Sequence, residues 1–168
     1  MGRITGSLDY SDLKNTDMIL ECVSENFELK KKIFGLIHKV AKPSAIITSN
    51  TSSISITKLA AAAGEGRADK FVGMHFFNPV PVMKLVEVIR GLQTSSAAFE
   101  AVLELTNRCG KTGVPCVDSP GFVCNRILVP MINEAIFVVF ESVAAPAEVG
   151  ILITCSASRV QTGVFLHF

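Results

Sequence analysis

The sequence is poor in the residues that bind metal. It has three histidines, His38, His75 and His167, and no H-E-x-x-H pair, so no metal centre is expected. Five cysteines, Cys22, Cys109, Cys116, Cys124 and Cys155, show no paired ligand spacing. Such an odd, scattered set in apolar contexts implies reduced thiols, most of them filling core, in a reducing compartment such as cytoplasm or mitochondrial matrix. No basic run exceeds Lys30-Lys31-Lys32 and the net charge is +1, which argues against a nucleic-acid partner. A membrane span needs about 18 or more apolar residues in sequence. The most apolar segment, 127–140, is interrupted by Pro130, Asn133 and Glu134. The first residues, Met1-Gly2-Arg3-Ile4-Thr5, lack the apolar region of a secretory signal. Gly110-Lys111-Thr112 is not a phosphate loop, because Leu105 stands where its first glycine belongs.

What is present is enough apolar surface for a core: 49% of the 168 residues are hydrophobic and 18% charged. That suits one globular domain, or one domain and part of another. Residues 17–23 form a short apolar run typical of a strand buried on both faces. From Phe27 to Ala41 the apolar residues Leu29, Ile33, Leu36, Ile37 and Val40 recur at helical spacing, and Pro43 ends the pattern. A second buried strand follows at 44–49. The polar turn Asn50-Thr51-Ser52-Ser53 then opens a helix through Ala63. Strand, helix, strand, helix with short links predicts a parallel α/β sheet. In such sheets ligands collect at the carboxyl ends of the strands. Glu25, the 50–53 turn and Asn78 all fall there, although a serine-rich turn alone is usually just a helix cap.

The runs Lys70–Phe77 and Lys84–Ile89 read as two strands, joined by a link holding Asn78, Pro79 and Pro81. A hairpin centred on Pro81 sets His75 opposite Glu87, at about 4.5–5.5 Å between Cβ atoms. A carboxylate there holds an imidazole in one tautomer, leaving the outer nitrogen to take a proton from a hydroxyl. The pair by itself more often means an ordinary strand histidine beside a solvated glutamate. Beyond the hairpin, the pattern predicts a helix over 95–109, a strand over 114–117, a junction at Asp118-Ser119-Pro120-Gly121 and a long apolar helix from Pro120 to about Glu141, with Asn125 in its first turns. The tail, 149–168, fits no helix period. Ser52, His75 and Glu87 also admit a hydrolase triad, but Asn-Thr-Ser-Ser is not the G-x-S-x-G elbow of an α/β-hydrolase.

Four strings carry a likeness: Ser49-Asn50-Thr51-Ser52-Ser53, Gly73-Met74-His75-Phe76-Phe77-Asn78-Pro79, Lys84-Leu85-Val86-Glu87-Val88-Ile89 and Ser119-Pro120-Gly121-Phe122-Val123-Cys124-Asn125-Arg126. In this order and spacing, residues 2–148 resemble the L-3-hydroxyacyl-CoA dehydrogenase family, including 3-hydroxybutyryl-CoA dehydrogenases. The resemblance implies an α/β fold: an incomplete Rossmann-type doubly wound sheet lacking its first βαβ unit, then the first helix of an all-α C-terminal domain. The corresponding boundaries are 1–117 for the partial NAD-binding domain, 118–148 for the start of the helical domain and 149–168 for a divergent tail. It implies NAD-dependent oxidation of (S)-3-hydroxyacyl-CoA to 3-oxoacyl-CoA in fatty acid β-oxidation or butanoate metabolism.

By the same resemblance His75 is the general base and Glu87 its orienting carboxylate. Ser52 positions the substrate oxygen near the nicotinamide, and Asn125 polarises the 3-keto oxygen in the reverse direction. Glu25, Lys30, Ser52 and Asn78 line the cofactor. The implied partners are an acyl-CoA substrate and a second copy, paired through a helical domain of which only the first helix is recognisable. The family's G-x-G-x-x-G fingerprint does not occur in these residues. A partial gene product is therefore expected, its tail drawn from an alternative exon or shifted frame, with a catalytically inactive remnant as the alternative to an active enzyme.

Overall fold

The short runs of Val, Ile and Phe pair into a five-stranded mixed sheet. The computed structural model describes residue 2 and residues 4–160. Strands β1 (Met18–Glu21), β2 (Ile46–Ser49), β3 (Phe71–Phe76), β4 (Leu85–Arg90) and β5 (Thr112–Val117) lie side by side in chain order. Neighbours run parallel except β3 and β4, which are antiparallel. Helices α1 (Phe27–Val40) and α2 (Ile56–Ala62) share one apolar layer with Ile47, Phe71 and Ile89. Helix α3 (Ser96–Arg108) packs through Phe99 and Val102 onto Val72, Met74 and Val88 on the other face. Alternation along β3 explains the division: odd positions face α1 and α2, even positions face α3. The doubly wound α/β layering is the one the sequence predicts.

Local chemistry starts each helix. Asn26 Oδ1 accepts the Leu29 N–H at 2.9 Å, Ser55 Oγ that of Lys58 at 3.2 Å, and Ser95 Oγ that of Ala98 at 3.3 Å. Helix α1 departs from expectation in the face it buries. It turns Lys30, Phe34 and Ile37 inward and leaves Leu29 and Leu36 exposed. The cause is an ion pair. Lys30 Nζ lies 2.8 and 2.9 Å from the two oxygens of Glu21 on β1, and Ser49 Oγ donates to Glu21 Oε2 at 2.6 Å. Apolar periodicity reads a lysine as outward, whereas here a charge on the strand draws it under the helix.

Two further expectations are corrected. The long helix does not begin at Pro120: Gly121 and Phe122 have φ of 75° and 49°, which a right-handed helix excludes, and α4 runs Cys124–Phe140. The tail is not irregular from residue 149. Helix α5 spans Pro146–Val160, started by a proline in its first turn and Glu148 beside its positive end. The last part of the expected tail, 161–168, lies outside the described residues. The chain divides into two compact units, 1–123 and 124–168. In the second, α4 and α5 line a groove of about 600 Å³ with Leu128, Ile132, Ile136, Val149 and Ile153.

Two substitutions test this packing. A Cβ on Gly73 would meet Ile89 Cβ at 2.7 Å and Ile56 Cδ1 at 2.9 Å. Gly73→Ala is therefore expected to destabilise by about 1–3 kcal/mol, read from the denaturant midpoint. Lys30→Met strands Glu21 in the core and is expected to cost about 3–5 kcal/mol by the same measurement. An unchanged midpoint in either variant would contradict the packing described.

Candidate active site

The β3–β4 register sets His75 directly opposite Glu87. His75 Nδ1 lies 2.9 Å from Glu87 Oε2, with 7% of the histidine and 1% of the glutamate exposed. An ionised carboxylate can only accept, so Nδ1 carries the hydrogen and Nε2 keeps its lone pair. That is the arrangement of a general base backed by an acid. The other carboxylate oxygen, Oε1, accepts the backbone N–H of Val123 at 3.0 Å. Two rings flank the imidazole, Phe77 at 4.6 Å and Phe122 at 5.9 Å between centroids. On β5, burial and then the charges of Glu87 and Asp118 push the Cys116 thiol up to about 12. It remains protonated at neutral pH and is no nucleophile.

The 50–53 turn is tied to this strand from one side and to Glu25 from the other. Asn50 Oδ1 accepts the N–H of Phe76, the residue after His75, at 2.8 Å. Glu25 Oε1 accepts the N–H groups of Ser52 and Ser53 at 2.9 and 3.0 Å, and the hydroxyls of Thr51 and Ser53 at 2.6 and 3.0 Å. Partial burial pushes the Glu25 carboxyl up. The hydrogen bonds from Thr51, Ser53 and the two backbone amides outweigh it and hold the group below its ordinary 4.5. Ser52 is half-buried in this turn.

The remaining expected site residues are placed less uniformly. Lys30 is buried, its ammonium shared among Glu21, the Val23 carbonyl at 3.2 Å and Glu25 Oε2 at 3.6 Å. It therefore bears on the polar edge through Glu25, not as an exposed cation. Asn78 is exposed in the loop after β3. Asn125 is half-buried, the second residue of α4, and belongs to the second unit.

Four contributors escaped the sequence reading. Asp118 accepts the Ser55 hydroxyl at 2.7 Å and the N–H groups of Ile56 and Thr57 at 3.1 and 2.8 Å, holding the start of α2. Burial raises its carboxyl, but those bonds prevail and hold it below the ordinary carboxylate range. Lys111 of the rejected Gly-Lys-Thr string donates to the carbonyls of Val80 and, at 2.8 Å, Met83, clasping the hairpin loop. Phe122 and Val123 frame the dyad. A cavity of about 620 Å³ opens beside the serine turn, lined by Phe27, Ser53, Ser55, Lys58, Asp118 and Pro120.

Glu25 carries a pH dependence of definite sign. Its carboxyl is held below 4.5 in the folded chain, so its contribution to stability is complete above 4.5 and is lost as pH falls below that value. Glu25→Gln is expected to lower the Tm at neutral pH and to flatten its decline through the acid range. Equal acid slopes for the two proteins would contradict this account of the turn.

Comparison with known proteins agrees with this geometry. Residues 1–119 match the family model described as 3-hydroxyacyl-CoA dehydrogenase, NAD binding domain, and residues 121–158 match the model of its C-terminal domain. The second match runs past residue 149, where the sequence reading expected divergence. A probable 3-hydroxybutyryl-CoA dehydrogenase of Deinococcus radiodurans is 49% identical over 149 residues, 89% of this chain and 53% of that protein. The human mitochondrial hydroxyacyl-coenzyme A dehydrogenase is 47% identical over 126 residues, 75% of this chain and 40% of that protein. The crystal structure of (S)-3-hydroxybutyryl-CoA dehydrogenase from Ralstonia eutropha superposes with a TM-score of 0.84 at 56% identity, covering 88% of this chain and 51% of that one. The chain thus spans about half the length of bacterial relatives it matches. With both of its units matched and a His–Glu pair buried in the first, this chain belongs to the 3-hydroxyacyl-CoA dehydrogenase family.

Proposed function

We propose that this chain takes part in the NAD-dependent oxidation of (S)-3-hydroxyacyl-CoA to 3-oxoacyl-CoA, the chemistry of fatty acid β-oxidation and butanoate metabolism. The observation that carries the reading is the 2.9 Å contact between His75 Nδ1 and Glu87 Oε2, sequestered from water. His75 Nε2 accepts the proton of the 3-hydroxyl. Glu87 fixes the ring and stabilises the imidazolium that forms. Ser52 orients the substrate oxygen. The cofactor, when bound, supplies the acceptor for the hydride that leaves C3. The names of the relatives in Deinococcus and Ralstonia favour a short acyl chain such as 3-hydroxybutyryl-CoA.

The residues present fit the nicotinamide end of a dinucleotide. Glu25, the serine turn and Asn78 follow the carboxyl ends of β1, β2 and β3, where open α/β sheets take their ligands. In this reading Glu25, Ser52 and Asn78 line the cofactor, and Lys30 acts by holding Glu25. The glycine loop that would clasp the pyrophosphate does not occur in the 168 residues.

Reduced cofactor formed from NAD and 3-hydroxybutyryl-CoA tests the reading directly. In the active protein, His75→Gln is expected to lower turnover by about 10²–10⁴-fold, with little change in cofactor affinity. Turnover that survives His75→Gln would mean the base is misassigned. No turnover by the parent chain would reduce the reading to an inactive member of the family.

A further inference from the structure

We propose that the left-handed turn at Gly121–Phe122 is a positioning element for the base, presenting the Val123 N–H to Glu87 and the Phe122 ring to His75. The inference rests on the dyad reading above and concerns residues to which neither the sequence motifs nor the dyad assigns a role. A carboxylate bound through one oxygen still turns about its last side-chain torsion, whose energy profile is broad. Glu87 is bound through both: Oε2 meets His75 Nδ1 at 2.9 Å and Oε1 accepts from Val123 at 3.0 Å. The second donor is main chain, so it cannot swing away as a side chain can.

The turn sets where that donor points. Phe122 holds φ at 49°, a region that a bulky residue leaves unless its surroundings oblige it to stay. Here the surroundings do oblige it. Only 2% of Phe122 is exposed, its ring lies 5.9 Å from that of His75, and its N–H donates to the Ser119 carbonyl at 2.9 Å. Gly121, at φ 75°, enters the turn without a side chain to resist it. The titratable group from β5 bearing on Glu87 is the Cys116 thiol, uncharged at neutral pH, with Asp118 acting on that same thiol. Val114 lies opposite Glu87 in the sheet. A fixed carboxylate selects the Nδ1–H tautomer of His75, whereas an unrestrained imidazole favours hydrogen on Nε2, which would block the base.

Nitrogen NMR of the ¹⁵N-labelled chain, at a pH where His75 is neutral, reads this directly. The His75 signals are assigned by their loss in His75→Gln. The parent chain is expected to show one tautomer, with hydrogen on Nδ1. Replacing the Val123 amide by an ester removes a single N–H, and Phe122→Gly keeps the left-handed turn accessible while deleting the ring. Each is expected to lose the single tautomer and gain Nε2–H signal. A folded ester chain with the tautomer unchanged would overturn the proposal. So would failure of the ester chain to fold, since the N–H would then serve the whole fold and not the base. An unchanged tautomer in folded Phe122→Gly would remove the ring's part, and if that variant does not fold the ester decides. The readout needs no substrate. Absent turnover would reduce the dehydrogenase reading to an inactive member of the family with this result standing, and an unchanged tautomer would overturn this proposal with that reading intact.

Discussion

The hydrogen bond between His75 and Glu87 depends on one structural constraint, the register of the antiparallel joint between β3 and β4. Side chains alternate faces along a strand, so a slip of one residue would carry His75 to the α3 side and bring Met74 in its place. The register is held from both ends. Gly73 and Ile89 close against α2, and at the loop Lys111 clasps the carbonyls of Val80 and Met83 while Thr112 donates to Lys84 at 2.8 Å. Glu87 is almost wholly buried, and a charge so placed is tolerable only when both oxygens are bound. His75 and Val123 meet that need.

The other polar groups of this face build a frame around the dyad. Glu21, Lys30 and Ser49 are bonded together under α1, and Lys30 extends the set to Glu25. Glu25 gathers the serine turn, Asn50 stitches that turn to Phe76, and Asp118 binds the start of α2. Apart from those of Lys30, these bonds link segments 26 or more residues apart, so the positions of Ser52 and His75 are set by common supports. Precise placement of this kind is what a proton transfer requires of its scaffold.

How much of this is legible in the sequence depends on where the deciding partner lies. The strands, the helices over 27–41 and 95–109, and the dyad itself come from local signals: short β-branched runs, helical apolar spacing, and a proline link symmetric about residue 81. The inward turn of Lys30 does not, because Glu21 and not apolar spacing settles the face of α1. Asp118 finds its partners 61 to 63 residues earlier, which no local pattern reveals. The left-handed Phe122 is invisible to a reading that takes Ser-Pro as a helix start. Helix α5 is hidden from its sequence because scattered Ser, Thr and Gly obscure its period, although Pro146 and Glu148 mark its beginning.

The hydrogen on His75 Nδ1 offers the most direct test of the central claim. In proton NMR it should give a downfield imidazole resonance, slowed in exchange by burial and absent from both His75→Gln and Glu87→Ala. A parent spectrum lacking that resonance, or one in which it persists unchanged in Glu87→Ala, would show that the carboxylate does not hold the ring and would contradict the account.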